Sequence, residues 1–253
     1  PLQKEIELES ISYSQISRSL NHLDSCILEE IFQQLLVSVQ EKTRPNKRNS
    51  LYLIDSSTFS LSKKRHPWAA FRKTKSGVKL HLKLCFMNDE TLYPTDFTLT
   101  NAKEHDVNQL ELLVDQAEAT YVFDRGYLDF DRMDQLHHEG YFFVTRIKKN
   151  TKYHIFEDFE TPSETVPQII SDQHVALGSK TTLTFRFRLV TIEDEKGKQL
   201  QFITNRFDLS ASEVSQAYKS RWQIELFFKH IKQHMTIKNF FSQSESGVHN
   251  QLI

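Results

Sequence analysis

Tyr218, Arg221, Glu225 and Lys232 set one carboxylate among bases in the stretch YKSRWQIELFFKHIK, residues 218–232. At about 100° per residue the four fall within one narrow arc of a helix. Ile224, Phe227, Phe228 and Ile231 occupy a neighbouring apolar arc that must face a core. Glu225 then sits at the border of that core, with a cation one turn before it and another two turns after it. A helix built for solubility pairs opposite charges four residues apart and keeps Phe off its surface. This one aims a lone carboxylate and several bases at something negatively charged, which points to Glu225 holding a metal ion and its cationic neighbours holding nucleic-acid phosphate.

Two further acids follow short apolar runs. Asp55 closes residues 51–54 and precedes SSTFSLS, and Asp124 closes residues 121–123 and precedes the turn Arg125-Gly126-Tyr127. In sheets with parallel strands, functional groups gather beyond the strand ends. Three carboxylates meeting there would repel one another, and a hard divalent cation relieves the repulsion. Oxygen-only ligation suits Mg²⁺ or Mn²⁺. Two such ions about 4 Å apart activate a water or a 3′-hydroxyl and stabilise the leaving oxygen, so phosphodiester cleavage and strand transfer are the chemistry to expect. His230 and His234 lack an HExxH pattern and a third ligand, and read as surface bases. Trp68 can either stack on a base amid its cationic neighbours or anchor a loop. No Gly-rich phosphate cradle is present, which argues against an ATP requirement.

The elements that must position these acids read as an α/β protein. Residues 11–39 form a small helical lead-in, and residues 41–50, without an apolar side chain, a linker. Strands follow at 51–54 and beyond, at 78–86 with a period of two, and at 92–99 with Pro94 marking an edge or an irregular start. Leu110, Leu113, Val114 and Ala117 share a helical face that Asp106 can cap. A strand at 121–123, a helix over 129–138 stopped by Gly140, and a strand at 141–147 complete a mixed sheet with helices packed on it. Residues 148–205 read as an all-β insertion with its own small sheet. Ser210 to Glu213 is a capping box for the helix that carries Glu225 to about His234. The resulting division is 1–50 (helical region and linker), 51–147 (first part of the core), 148–205 (insertion) and 206–253 (second part). The last part ends in an amphipathic pattern cut off mid-course, as in a truncated fragment.

Composition sets the outer bounds. With 253 residues, 38% apolar and 26% charged, the chain is a globular protein rather than a disordered one. It has no bilayer-length apolar run and no signal-peptide pattern at its start, so a cytoplasmic protein is expected. Cys26 and Cys85 suggest neither a disulfide framework nor a zinc site. Charge is unevenly distributed: residues 42–83 hold twelve Lys or Arg against one acid, Asp55, in a chain of net charge −1. That segment is either a solvated basic loop or a surface for a polyanion.

The spacing Y-x2-R-x3-E-x6-K, the IDSSTF strand, the Asp-Arg-Gly-Tyr turn and the TKSGVKLHLKL segment together resemble bacterial insertion-sequence transposases of the insertion-sequence-four group. These belong to the DDE superfamily and have a ribonuclease-H-like core. The resemblance covers roughly residue 51 to the end, and this group carries a β-rich insertion between its second and third acids. It implies that Asp55, Asp124 and Glu225 are the catalytic, metal-binding triad for two Mg²⁺ or Mn²⁺ ions. It implies DNA contacts at Tyr218, Arg221, Lys232, Arg125 and Tyr127. The expected activity is metal-dependent nicking at transposon ends, then attack of the freed 3′-hydroxyl on DNA. The partners would be terminal inverted repeats and target duplex, with a dimer in the synaptic complex and association with the bacterial nucleoid. Two rivals remain: a non-catalytic DNA-binding remnant, and a metal-dependent nuclease without strand transfer.

Overall fold

The computed structural model of the chain describes residues 11–43, 50–161, 168–178, 186–234 and 240–253. Most of the expected linker and parts of the expected all-β insertion, residues 162–167 and 179–185, lie outside these residues. In the lead-in, Ser12 and Gln15 form a capping box for α1 (Tyr13–His22), which Leu23 and Asp24 separate from α2 (Ser25–Thr43).

Three antiparallel strands come next in the sheet: β1 (Leu51–Leu61), β3 (Lys75–Asn88) and β4 (Thr91–Asn101), with a short arm, β2 (Ala70–Arg72), on the end of β3. β5 (Thr120–Phe123) and β6 (Phe142–Arg146) run parallel to β1. This meander followed by two parallel strands is the ribonuclease-H-like arrangement anticipated above, a mixed α/β sheet flanked by helices. On one face, buried Leu53, Val122, Val144 and Phe202 pack against Val214 and Tyr218 of α5 (Ala211–Ser220), Ile224 and Phe228 of α6 (Trp222–His234), and Val248 of α7 (Glu245–Leu252). On the other, Ile54, Tyr121, Phe123 and Phe143 pack against Leu36 of α2, Leu110 and Leu113 of α3 (Leu110–Leu113), and Met133 and Leu136 of α4 (Phe130–His138). The second layer is why β3 departs from a half-buried strand. His81, Lys83 and Cys85, on the polar side of its alternation, are buried too. Lys83 is neutralised by Asp115 at 2.8 Å.

Three readings of the sequence are corrected. The insertion does not build a sheet of its own: β7 (Tyr153–Asp158), β8 (Gln168–Leu177), β9 (Phe187–Glu193) and β10 (Gln199–Thr204) extend the same sheet, in the order β6-β10-β9-β8-β7. β6 would otherwise end the sheet with a row of unpaired backbone groups, and β10 covers it. The helix expected after His105 is a 3₁₀ turn, Asp106–Gln109, and the single turn of α3. It stops because the buried Tyr121 hydroxyl takes the Asp115 and Gln116 N–H groups, and Asp106 does not cap it. Finally, the helix begun by the Ser210–Glu213 capping box is not continuous. It breaks at Arg221, where the bonds Arg221 N–H to Tyr218 O and Ile224 N–H to Arg221 O span three residues instead of four.

Buried Arg188 ties the added strands to this helix pair. It makes a bidentate pair with Asp172 of β8, at 2.6 and 2.8 Å, and donates to the Arg206 and Leu209 carbonyls just before the Ser210 cap. Among the described residues no helix is long and apolar enough to cross a membrane.

Candidate active site

Alternation along the strands settles where the first two acids go. Leu53 and Val122 belong to the core under α5 and α6, and two residues on, Asp55 and Asp124 repeat that orientation. Ile54 and Phe123 are register partners in the parallel pair β1–β5, so Asp55 and Asp124 each follow the last paired residue of that ladder, side by side. β1 continues to Leu61 while β5 stops at Phe123. Past Ile54 one edge of β1 therefore lies open, and α6 lies along it. A cleft of about 400 Å³ forms there, lined by Asp55, Ser56, Ser57, Glu225, Lys229 and Lys232.

Arg221 links the acids. Its Nη1 donates to Asp55 Oδ2 at 3.2 Å and its Nη2 to Glu225 Oε1 at 2.5 Å, and the guanidinium lies 5.6 Å from the centroid of the Tyr218 ring. The break at Arg221 belongs to this placement, because the tightened turn stands where the guanidinium reaches both carboxylates. Tyr218 donates its hydroxyl to Asp124 Oδ1 at 3.4 Å. Burial raises the Asp55 carboxyl to a pKa of about 6; the Ser56 N–H and Arg221 oppose that rise, while the charges of Asp124 and Glu225 add to it. Asp124 and Glu225 thus both act on Asp55 through their charge, and a cation already bridges two of the three acids. Among the described residues no three acid, His or Cys side chains stand close enough together to hold a metal. The donor chemistry nevertheless fits a divalent cation: oxygen ligands only, one of them held at an elevated pKa until positive charge arrives.

The proposed DNA contacts divide. Lys232 lies in the cleft with its ammonium on the Thr58 carbonyl at 3.1 Å and over the Phe59 ring, and Arg125 is exposed. Tyr218 is a core residue, 8% exposed, whose hydroxyl alone reaches the site. Tyr127 is 2% exposed and packed on Phe123. A surface contact for Tyr127 is therefore withdrawn: the Asp-Arg-Gly-Tyr turn drives this ring into the core and presents Arg125 instead. Trp68 is an anchor, donating its indole N–H to Gln243 O at 2.8 Å.

Sequence reading missed the layer beneath. On the opposite face of the sheet, Ser56 Oγ donates to Asp106 Oδ1 at 2.7 Å, and Lys79 Nζ donates to the same oxygen at 3.1 Å. Fully buried His81 sits beside them, its Nε2 2.9 Å from Thr100 Oγ1. This network braces the residue after Asp55. The signal available in sequence was an alternating strand with Lys79, His81 and Lys83 on its polar side, which called for a buried acid across from it.

Residues 46–253 match the family model for the transposase DDE domain. The chain belongs to that family. It is 30% identical over 248 residues to a protein of Geobacillus stearothermophilus described as a probable transposase for insertion sequence element IS5377, covering 97% of this chain and 65% of that one. A protein of Sinorhizobium fredii described as "Putative transposase y4zB" is 29% identical, covering 89% of this chain and 64% of its own length. One of Synechocystis, named for insertion sequence element IS4SA, is 22% identical, covering 96% and 69%. The chain thus spans just under two thirds of the length of the first two relatives, and about two thirds of the third. An insertion-sequence transposase of the DDE superfamily is what the sequence motifs led us to expect.

Proposed function

We propose that this chain is the catalytic portion of a DNA transposase, cutting one strand at a transposon end and joining the freed 3′-hydroxyl to target DNA. The observation that carries the reading is the convergence on Arg221 and Tyr218: one cation bridges Asp55 and Glu225, and the phenol one helical turn away holds Asp124. In this reading Asp55, Asp124 and Glu225 would hold Mg²⁺ or Mn²⁺, two ions in all. When bound, the metal activates a water or 3′-hydroxyl and stabilises the leaving oxygen. Arg221 keeps the acids neutralised in the absence of DNA and turns to a phosphate oxygen when the substrate enters, a bidentate exchange that suits guanidinium. Tyr218 orients the Asp124 carboxylate, while Lys232 and exposed Arg125 hold the DNA backbone. Residues 51–147 and 206–253 form the catalytic core, 148–205 the insertion and 1–50 the lead-in. The partners are duplex DNA with terminal inverted repeats, the target duplex, and a second copy in the synaptic complex, at the nucleoid of a bacterial cytoplasm.

The test is incubation of the purified chain with Mg²⁺ and a plasmid carrying the element's ends. Nicking at the ends and joining of a pre-cut 3′-hydroxyl end are expected. Asp124→Asn should lower nicking by about 10²–10³-fold, on the scale of losing a group that stabilises the transition state, with DNA binding retained. Cutting by Asp124→Asn at the parental rate would overturn the assignment. Hydrolysis without joining would identify a nuclease, and binding without cutting a remnant.

A further inference from the structure

The open edge of β1 does not end at the cleft. From Asp55 the strand runs on to Leu61 in unbroken register with β3, and the chain then forms a tip, residues 62–75, before β3 returns. Lys63, Lys64, Arg65, Arg72, Lys73 and Lys75 are all exposed on it. From residue 56 to residue 88 the sequence has no Asp or Glu. The acids facing this region come from other elements. Glu245 of α7 shares a pocket with Trp68, and Glu104 lies beyond Lys79, which binds its carbonyl at 2.8 Å.

The tip is docked rather than loose. His66, 3% exposed, sets its Nε2 3.0 Å from Ser242 O, and Trp68 is bonded to Gln243 O. Lys63 Nζ donates to the Lys73 carbonyl at 2.6 Å and joins the two arms. Cations on such a platform lose little further freedom when they meet a ligand, which favours binding over solvation. The six residue steps from Asp55 to Leu61 span roughly 20 Å at strand rise, equal to about six phosphate steps along one strand of duplex DNA.

Building on the reading above, we infer that this basic tip grips the phosphate backbone of duplex DNA about six to eight base pairs from the phosphate at Asp55 and Glu225. It is a second hold on the same duplex, and it fixes the direction in which DNA leaves the cleft along β1 and α6. The ligand is duplex DNA because the tip stands at the far end of the strand whose nearer part lines the cleft with Lys229 and Lys232, and its six exposed cations, with no acid in the sequence from 56 to 88, suit a polyanion.

The test is fluorescence-anisotropy titration of a labelled 25-base-pair duplex, with Ca²⁺ present, over a range of salt concentrations. The parent is compared with the triple variant Lys64→Gln, Arg65→Gln, Lys75→Gln and with Lys42→Gln, an exposed base at the end of α2. Removing one cation from a phosphate should flatten the slope of log K against log salt by about 0.9. The triple variant should therefore lose about 2 to 3 units of slope, and at least about tenfold in affinity at 0.1 M salt, with an unchanged melting temperature. Lys42→Gln should match the parent. A parental slope in the triple variant, or an equal loss per charge in Lys42→Gln, overturns the inference alone. A parent that binds no duplex overturns the transposase reading beneath it.

Discussion

Buried His81 and half-buried Asp55 have their pKa values shifted in opposite directions. His81 is pushed down to a pKa of about 4 by burial, which outweighs the attraction of Asp106. Because this folded value lies below the ordinary 6.5, the unfolded chain binds more protons between the two. The stabilisation is complete above about pH 6.5 and is lost as pH falls through 4, by up to about 3 kcal/mol. Asp55 runs the other way: its raised value makes ionisation in the folded state costly above about pH 6. The two overlap in an acid titration of the parent, so the contribution of His81 is read from the variant His81→Gln. Its stability deficit relative to the parent, measured by urea unfolding, should shrink as pH drops from 7 to 4; a constant deficit would show that His81 is not held neutral. At this scale the sequence was informative about the three acids, whose positions after apolar runs and at a helix border are local patterns. It was silent on the bond between Arg221 and Asp55, which spans 166 positions, and on Asp106, whose place before a short helix suggested a cap while its carboxylate crosses to Ser56.

Between elements, Arg188 is held by its ion pair with Asp172 inside the insertion and couples the added strands to the start of α5 through the Arg206 and Leu209 carbonyls. Both side chains are buried, 8% and 5% exposed, and removing one partner strands the other. Arg188→Ala should destabilise the protein by about 3–5 kcal/mol. Arg188→Met with Asp172→Leu should recover most of that, as apolar replacements of buried pairs do. Chemical denaturation of both variants checks this, and equal destabilisation of the two would mean that the strands are held by something other than this pair. Elements announced by a period were legible: β1, β3, β5 and β6, α4, and the capped start of α5. β2 is three residues long and β7 is exposed along most of its length, so neither carries a burial pattern. The break at Arg221 leaves the helical spacing of Tyr218 and Glu225 unaltered in sequence, which is why one continuous helix was the natural expectation.

For the whole molecule, one sheet with helices on both faces does what the sequence divided among a core and a separate insertion. The fold class and the order of elements were legible from local patterns. The continuation of the sheet through β10 was not, because strand pairing across 56 residues, Arg146 with Phe202, leaves no local trace. The structure divides the basic stretch: Lys63, Lys64, Arg65, Arg72, Lys73 and Lys75 are exposed on the tip beyond β1, while Lys79 and Lys83 pair with Asp106 and Asp115. In the proposed function, cutting requires that Asp55, Asp124 and Glu225 share one bound cation, in whose place Arg221 bridges Asp55 and Glu225. Titration of the DNA-free chain with Mn²⁺, followed by electron paramagnetic resonance, tests this most directly. Asp124→Asn and Glu225→Gln should each weaken binding by at least about tenfold, since even an outer partner of a metal ligand is worth that much. Arg221→Gln, freed of the competing cation, should bind Mn²⁺ more tightly than the parent. Parental Mn²⁺ affinity in Asp124→Asn or Glu225→Gln would contradict a shared site.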